Sequence, residues 1–258
     1  MELKVIKIGG NVIENETALE AFITDFAAVK GPKILVHGGG KLATQLAKKM
    51  GIETTMVEGR RITDAETLKV ITMVYGGFAN KNIVAKLQGN GCNAIGLSGA
   101  DGNVIQAIKR PVKTIDYGYV GDVTGISEQT IDALLKNGLT PVFCAITHDG
   151  NGQLFNTNAD TIAATIAVGM SNLYDTALYY CFEKNGVMRD INDDDSVIEH
   201  INTQNYPTLL EEKVVSDGMI PKLHNAFEAL KQNVKKVCIG NTKMIVENSQ
   251  QKHTTITL

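Results

Sequence analysis

The chain has 258 residues, enough for one large domain or two closely fused lobes. Hydrophobic residues make up 43% and charged residues 21%, and a net charge of −3 offers no basic field for nucleic acid or an anionic membrane. No apolar run is long enough to span a bilayer, and the N-terminus lacks the basic-then-apolar order of a signal peptide. Four scattered cysteines (Cys92, Cys144, Cys181, Cys238) read as buried thiols of a cytoplasmic protein rather than a zinc site.

Leu3 to Ile8 is an apolar, β-branched run that reads as a buried strand, with Lys7 just before Gly9-Gly10. Thr17 and Glu20 form a capping box for a helix whose stripe is Leu19, Phe22, Ile23 and Phe26, stopped by Gly31-Pro32. Lys33 to His37 is a second buried strand ending in Gly38-Gly39-Gly40, and a helix with Leu42, Leu46 and Met50 follows, closed by Gly51. Strand, glycine turn, helix, strand, glycine turn, helix is a βαβ unit and implies an α/β protein with a parallel sheet.

Ile52 to Ile62 alternates and reads as a hairpin. Thr63-Asp64-Ala65-Glu66 is a second capping box, opening a long helix to Leu87 that bends at Gly76-Gly77. Cys92 to Leu97 is a strand, residues up to about Val123 suggest hairpins, Ser127 to Asn137 is a helix, and Leu139 to Ile146 is a further strand. After the turn Asp149 to Gly152, Asn156-Thr157-Asn158-Ala159-Asp160 leads into a helix from Thr161 to Met170. A strand from Ala177 to Phe182, a short helix near Leu209 to Val214, a longer helix ending near Gln232, and strands at Lys235 to Gly240 and Thr254 to Leu258 complete the pattern. The acidic patch Asp190 to Asp195 lacks the ligand spacing of a calcium loop. The softest division of the chain lies near Thr147 to Gly152.

The chemistry concentrates where strands end. Open α/β sheets bind ligands beyond the carboxyl ends of their strands, and bare N–H groups at Gly9-Gly10 and Gly38-Gly39-Gly40 suit phosphate or carboxylate oxygens. Neither turn matches the Walker or dinucleotide pattern. Lys7 and Lys222 each stand beside a glycine-containing turn. Two such cations would suit phosphoryl transfer, which needs positioning and positive charge around the equatorial oxygens, although either could be an ordinary surface lysine. Asp160 could be a helix-start carboxylate, or it could lie between the two ammonium groups and hold them. Arg60 and Arg61 are equal candidates for gripping a carboxylate. Asn156 and Asn158 offer amide groups or simply a turn. His37 reads as a strand-end histidine bonded to backbone rather than a general base.

Taken in order, Lys7-Ile8-Gly9-Gly10, His37-Gly38-Gly39-Gly40, Gly59-Arg60-Arg61-Ile62-Thr63, Asn80-Lys81, Gly96-Leu97-Ser98-Gly99, Asn156-Thr157-Asn158-Ala159-Asp160 and Asp217-Gly218-Met219-Ile220-Pro221-Lys222 form a specific set. The chain resembles the acetylglutamate kinase branch of the amino-acid kinase family over essentially its whole length. That resemblance implies a three-layer αβα sandwich around a mainly parallel open sheet. It implies one domain, with a lobe of about residues 1–150 for the acyl-glutamate and for dimerisation, and a lobe of about 151–258 for ATP. It also implies phosphorylation of the γ-carboxylate of an N-acyl-L-glutamate by ATP, with Mg2+ bound through the ATP phosphates, in arginine biosynthesis. Matched position by position, Lys7, Lys222 and Asp160 carry catalysis. Gly39, Gly40, Arg61 and Asn156 bind substrate, the choice of Arg61 over Arg60 coming from the family pattern. Gly10, Glu183, Lys184, Asn185, Gly186, Val187, Met188, Val214, Val215 and Ser216 bind nucleotide.

There are departures from the family pattern. Phe182-Glu183 stands where relatives carry serine or threonine and then aspartate, Ala100 where many have lysine, and Lys41 where proline is frequent. The last two flank the substrate lobe and leave the acyl group open between acetyl and succinyl. An N-terminal extension found in arginine-inhibited hexamers is missing here, so the expectation is a homodimer without arginine feedback.

Overall fold

The computed structural model describes residues 1–57, 59–190, 192–215, 219–247 and 249–258, the side chain of Pro221 excepted. The first elements are β1 (Glu2–Ile8), α1 (Gly10–Glu14), α2 (Glu16–Ala28), β2 (Lys33–His37) and α3 (Gly40–Lys49). The hairpin β3 (Met56–Val57) and β4 (Arg60–Arg61) leads to α4 (Ala65–Ile71), a π-helical stretch over Thr72–Ala79, and α5 (Asn80–Gly89). Then come β5 (Ala94–Leu97), β6 (Ile105–Lys109), β7 (Gly121–Ile126), α6 (Glu128–Lys136), β8 (Thr140–Cys144) and β9 (Ile146–His148). The chain continues with β10 (Leu154–Asn156), α7 (Ala159–Met170), β11 (Asp175–Cys181) and β12 (His200–Ile201). It closes with α8 (Tyr206–Glu211), α9 (Ile220–Lys231), β13 (Lys236–Gly240) and β14 (Thr254–Ile256).

The large sheet runs β12-β14-β13-β11-β1-β2-β8-β5. β1 pairs in parallel with β2 and β11, β2 with β8, β8 with β5, and β11 with β13; β14 runs antiparallel to β13. Both faces are covered, which is why its central strands are apolar on alternate and on consecutive residues alike. One face carries Val5, Val36, Leu178 and Tyr180 beneath Ile162, Ile166 and Leu223 of α7 and α9. The other carries Ile6, Ile8, Leu35 and Tyr179 beneath Phe22 and Phe26 of α2 and Ile83 of α5. This is the three-layer αβα arrangement expected from the sequence. A smaller sheet, β10-β9-β6-β7, stands apart from it.

Several local expectations are corrected. Asn15, not Thr17, caps α2: its side-chain oxygen accepts the Ala18 N–H, and Thr17 already lies within the first turn. Asp64, not Thr63, caps α4 in the same way, while Thr63 is buried and bridges to Gly118. The bend placed at Gly76-Gly77 is a widening of the helix to π pitch. The single strand expected from Leu139 to Ile146 divides between the two sheets after Cys144. A continuous apolar run carries no mark of which sheet its halves join, so the sequence could not show this.

Candidate active site

Because β1, β2, β8, β5, β11 and β13 share one direction, their carboxyl ends form a single rim. Ile8 of β1 lies opposite His37 of β2 and Cys181 of β11, so the two glycine turns and the loop after β11 emerge side by side. Gly39 caps α3, and a Cβ there would stand 2.9 Å from the Tyr75 ring, so the turn sits against that ring only as glycine. Beneath it His37 is fully buried. Its Nδ1 lies 2.8 Å from the Gly38 carbonyl and its Nε2 3.0 Å from the Asn80 amide nitrogen. A carbonyl can only accept, so Nδ1 donates and Nε2 accepts from Asn80. Burial pushes the imidazole down to about 4, more than the Gly38 bond raises it, and so His37 is a neutral strut rather than a base.

Above the same rim stands Asp160, in the first turn of α7. Asn158 caps that helix, accepting from the N–H groups of Asp160 and Thr161, and so the Asp160 carboxylate is not used for capping. Its Oδ1 is 2.8 Å from Lys7 Nζ and its Oδ2 2.9 Å from Lys222 Nζ. Lys7 comes from β1, Lys222 from α9 and Asp160 from α7, so residues more than two hundred positions apart meet at one carboxylate. Burial alone would raise the Asp160 pKa, but the two ammonium groups outweigh it and hold the carboxyl at about 2. The cluster of two cations and one anion keeps a net positive charge at the rim.

The other side of the turn holds Arg61. It is buried, and its Nη2 donates to the Gly40 carbonyl at 2.9 Å and to Thr44 Oγ1 at 2.8 Å. Arg60, its neighbour on β4, is exposed, so the two arginines differ in which face of the hairpin lies against α3. Asn156 donates through Nδ2 to Thr63 Oγ1, and Thr63 in turn donates to the Arg61 carbonyl, tying β10 to the hairpin. Gly39, Gly40, Arg61 and Asn156 therefore border one region. Tyr75, beside Gly39 and Gly40 and facing Arg61, joins them and was missed from sequence. An aromatic residue within a helix carries no signal of function, and only the packing of the π-helical stretch brings it there.

Gly10 opens α1, with the Gly9 N–H bonded to the Cys181 carbonyl, which sets it beside the loop Glu183 to Met188. In that loop Glu183 is exposed, while Val187 and Met188 are buried. The Val187 N–H donates to Thr254 Oγ1, Lys184 pairs with Asp194, and Asn185 accepts from Asn241. A polar cleft of about 460 Å³ opens beside Asn185, between Asp194, Lys243 and Lys252. Val214 and Val215 pack into the core, so their side chains do not face this cleft, and Ser216 lies outside the described residues. Phe182, where the family pattern differs, packs on the core with its N–H on the Gly240 carbonyl. Lys41 donates to Asn11 Oδ1 and lies near Glu14, linking α3 to α1.

A rim of glycine turns, with two lysines sharing one carboxylate, offers N–H groups and positive charge to an anionic group. The sequence pattern of the amino acid kinase family matches residues 2–241. The chain is 55% identical over 247 residues to an acetylglutamate kinase of Cytophaga hutchinsonii, covering 95% of this chain and 94% of that one. It is 53% identical over 248 residues to an acetylglutamate kinase of Phocaeicola vulgatus, 96% of each chain. Its fold is similar to that of a carbamate kinase from Giardia lamblia bound to AMP-PNP, with a TM-score of 0.70 over 99% of this chain and 98% of that one, at 15% identity. The chain belongs to the amino acid kinase family, and it is a kinase.

Proposed function

We propose that the chain transfers the γ-phosphoryl group of ATP to the side-chain carboxylate of N-acetyl-L-glutamate, giving an acyl phosphate for arginine biosynthesis. The observation that carries this reading is Asp160 held between Lys7 and Lys222 at the glycine rim, in a chain more than half identical to acetylglutamate kinases. The attacking carboxylate is ionised at neutral pH, so no base is needed, which agrees with a neutral His37. Lys7 and Lys222 offset charge on the phosphoryl oxygens, and Asp160 keeps both ammonium groups aimed. Gly10, Gly39 and Gly40 offer N–H groups to the same oxygens. Arg61 holds the substrate's α-carboxylate and Asn156 its N-acyl amino acid portion. On this reading the loop Glu183 to Met188 lies on the nucleotide side, and Val214 and Val215 contribute from the core rather than through the cleft.

The donor set at the rim consists of ammonium and N–H groups, with its carboxylate already between two lysines, so it fits phosphates and not a bare cation. Among the described residues no group of three histidine, cysteine or acidic side chains could hold a metal. Mg2+ would be held through the ATP phosphates, where it would supply further charge neutralisation. No helix among the described residues is long and apolar enough to cross a membrane. The reading further includes an acyl-glutamate lobe of about residues 1–150, an ATP lobe of about 151–258, a cytoplasmic homodimer and no arginine feedback.

The test is ATP consumption against a panel of N-acetylglutamate, N-succinylglutamate, glutamate, aspartate and UMP, with acyl phosphate trapped by hydroxylamine. Turnover and hydroxamate with an N-acyl-glutamate support the reading, and the preferred acyl group names itself. Turnover confined to the other acceptors would overturn it. Sedimentation as a hexamer, or strong inhibition by arginine, would remove the dimer and feedback parts.

A further inference from the structure

Beneath the two-lysine cluster lies a side chain that none of the site assignments includes. Tyr180 is the second-to-last residue of β11 and is 1% exposed. It stands in register with Lys7 on β1, and register partners in a parallel pair project to the same face, so both side chains point toward α7. Its hydroxyl donates to the backbone carbonyl of Asp160 at 3.2 Å. The Lys222 Nζ lies 5.1 Å from its ring centroid. One tyrosine therefore adjoins all three members of the cluster, which themselves come from three separate elements.

We propose that Tyr180 is a positioning residue for phosphoryl transfer, its ring face holding the Lys222 ammonium and its hydroxyl fixing the turn that carries Asp160. The inference rests on the kinase reading and deepens it. A lysine stem has four rotatable bonds, so Asp160 alone leaves the Lys222 ammonium several places to stand. A second carboxylate would fix it but would cancel the positive charge that the transferring phosphoryl group needs. The negative face of an aromatic ring attracts the ammonium while leaving its full charge in place. The phenol itself stays neutral, because burial pushes its ionisation well above the ordinary range. A neutral phenol keeps its proton for the Asp160 carbonyl and brings no competing anion.

Tyr180→Leu keeps an apolar side chain in the core but removes the ring. It should lower kcat about tenfold with little change in the KM of either substrate, as expected for losing one desolvated cation–π contact. Tyr180→Phe keeps the ring and loses the hydroxyl, so kcat should fall only about threefold, the scale of one neutral hydrogen bond. Mono-, di- and trifluorinated phenylalanine at position 180 weaken the ring's negative face in steps with little change of shape, and kcat should fall in the same steps. A residue that merely fills space would give a flat series. Independently of turnover, the ε-methylene signal of Lys222 in lysine-labelled protein should be shifted upfield by the ring. The shift should survive in Tyr180→Phe and vanish in Tyr180→Leu, with Lys222→Arg giving the assignment. A flat fluorine series, an unchanged kcat in Tyr180→Leu, or a Lys222 signal indifferent to the ring would each overturn the proposal. Loss of the kinase reading would show instead as no turnover by the unaltered protein, and the Lys222 signal would still decide whether the ring holds the ammonium.

Discussion

Two enclosed lysine environments at opposite ends of the sheet differ in what surrounds the ammonium. Lys33 opens β2 at the amino end, is 7% exposed, and donates to the carbonyls of Phe26, Ala27 and Val29 at 2.8, 2.8 and 2.6 Å. Those carbonyls belong to the last turn of α2 and its cap; the Phe26 carbonyl also accepts the Val29 N–H, and a cation there answers the helix dipole. All three donors of that ammonium are taken, and burial lowers its pKa. Lys7, one strand away and near the carboxyl end, shares a single carboxylate with Lys222. The first arrangement is complete within the fold. The second has more positive charge than its protein partners balance. Saturated cations stabilise a fold, whereas under-balanced ones wait for a ligand, and that difference can be broken by substitution.

The largest effect is expected at the carboxyl rim. Lys222→Ala should lower kcat about 100- to 1,000-fold, the loss typical of one preorganised charge on a transition state. Unchanged turnover would remove Lys222 from the mechanism. Next, Arg61→Ala should raise the KM for the acyl-glutamate about thirtyfold, on the order of the 2 kcal/mol carried by a charge-assisted hydrogen bond. An unaltered KM would make the carboxylate assignment wrong.

At the amino end the sign of the comparison reverses. Lys33→Met should cost about 2 kcal/mol of unfolding free energy by taking the donor from the Ala27 and Val29 carbonyls, and leave kcat intact. A fall in kcat at constant stability would show that the two ends are coupled. The last effect concerns acid and is felt only far below neutral pH. The Asp160 carboxyl is held at about 2, below its ordinary 3.8. A depressed folded-state value contributes stability that is complete above the ordinary value and lost as pH falls toward 2. The contribution is about 2 kcal/mol, so the unfolding free energy should fall between about pH 4 and 2, and Asp160→Asn should flatten that slope. Across neutral pH Asp160 stays charged, and any acid limb in kcat must belong to another group.

Much of the architecture was legible because it rests on local rules. The strands around Val5, Ile34 and Leu178 are buried on both faces and so read as apolar runs, and the glycines after Ile8 and His37 mark where those runs end. The order of strand and helix then forces a parallel sheet with both turns on one rim. Boundaries that depend on a side chain's own hydrogen bond were misread, as Asn15 and Asp64 show, because several polar residues near a helix start compete and geometry selects one. The division of one strand at Cys144 was hidden, since apolar character is the same in either sheet.

For the site, lysines beside glycine turns and a helix-start aspartate made Lys7, Lys222 and Asp160 candidates, and the resemblance to the amino-acid kinase family singled them out. That Lys7 and Lys222 converge on the Asp160 carboxylate, that Arg61 is buried while Arg60 is exposed, and that Tyr75 and Tyr180 stand beneath the turn and the ammonium were decided by the tertiary structure alone. Local pattern reports what a residue can do within a few positions of itself. Charge pairing, burial and ring contacts depend on distances between elements far apart in the chain, which exist only once the sheet has brought their ends together.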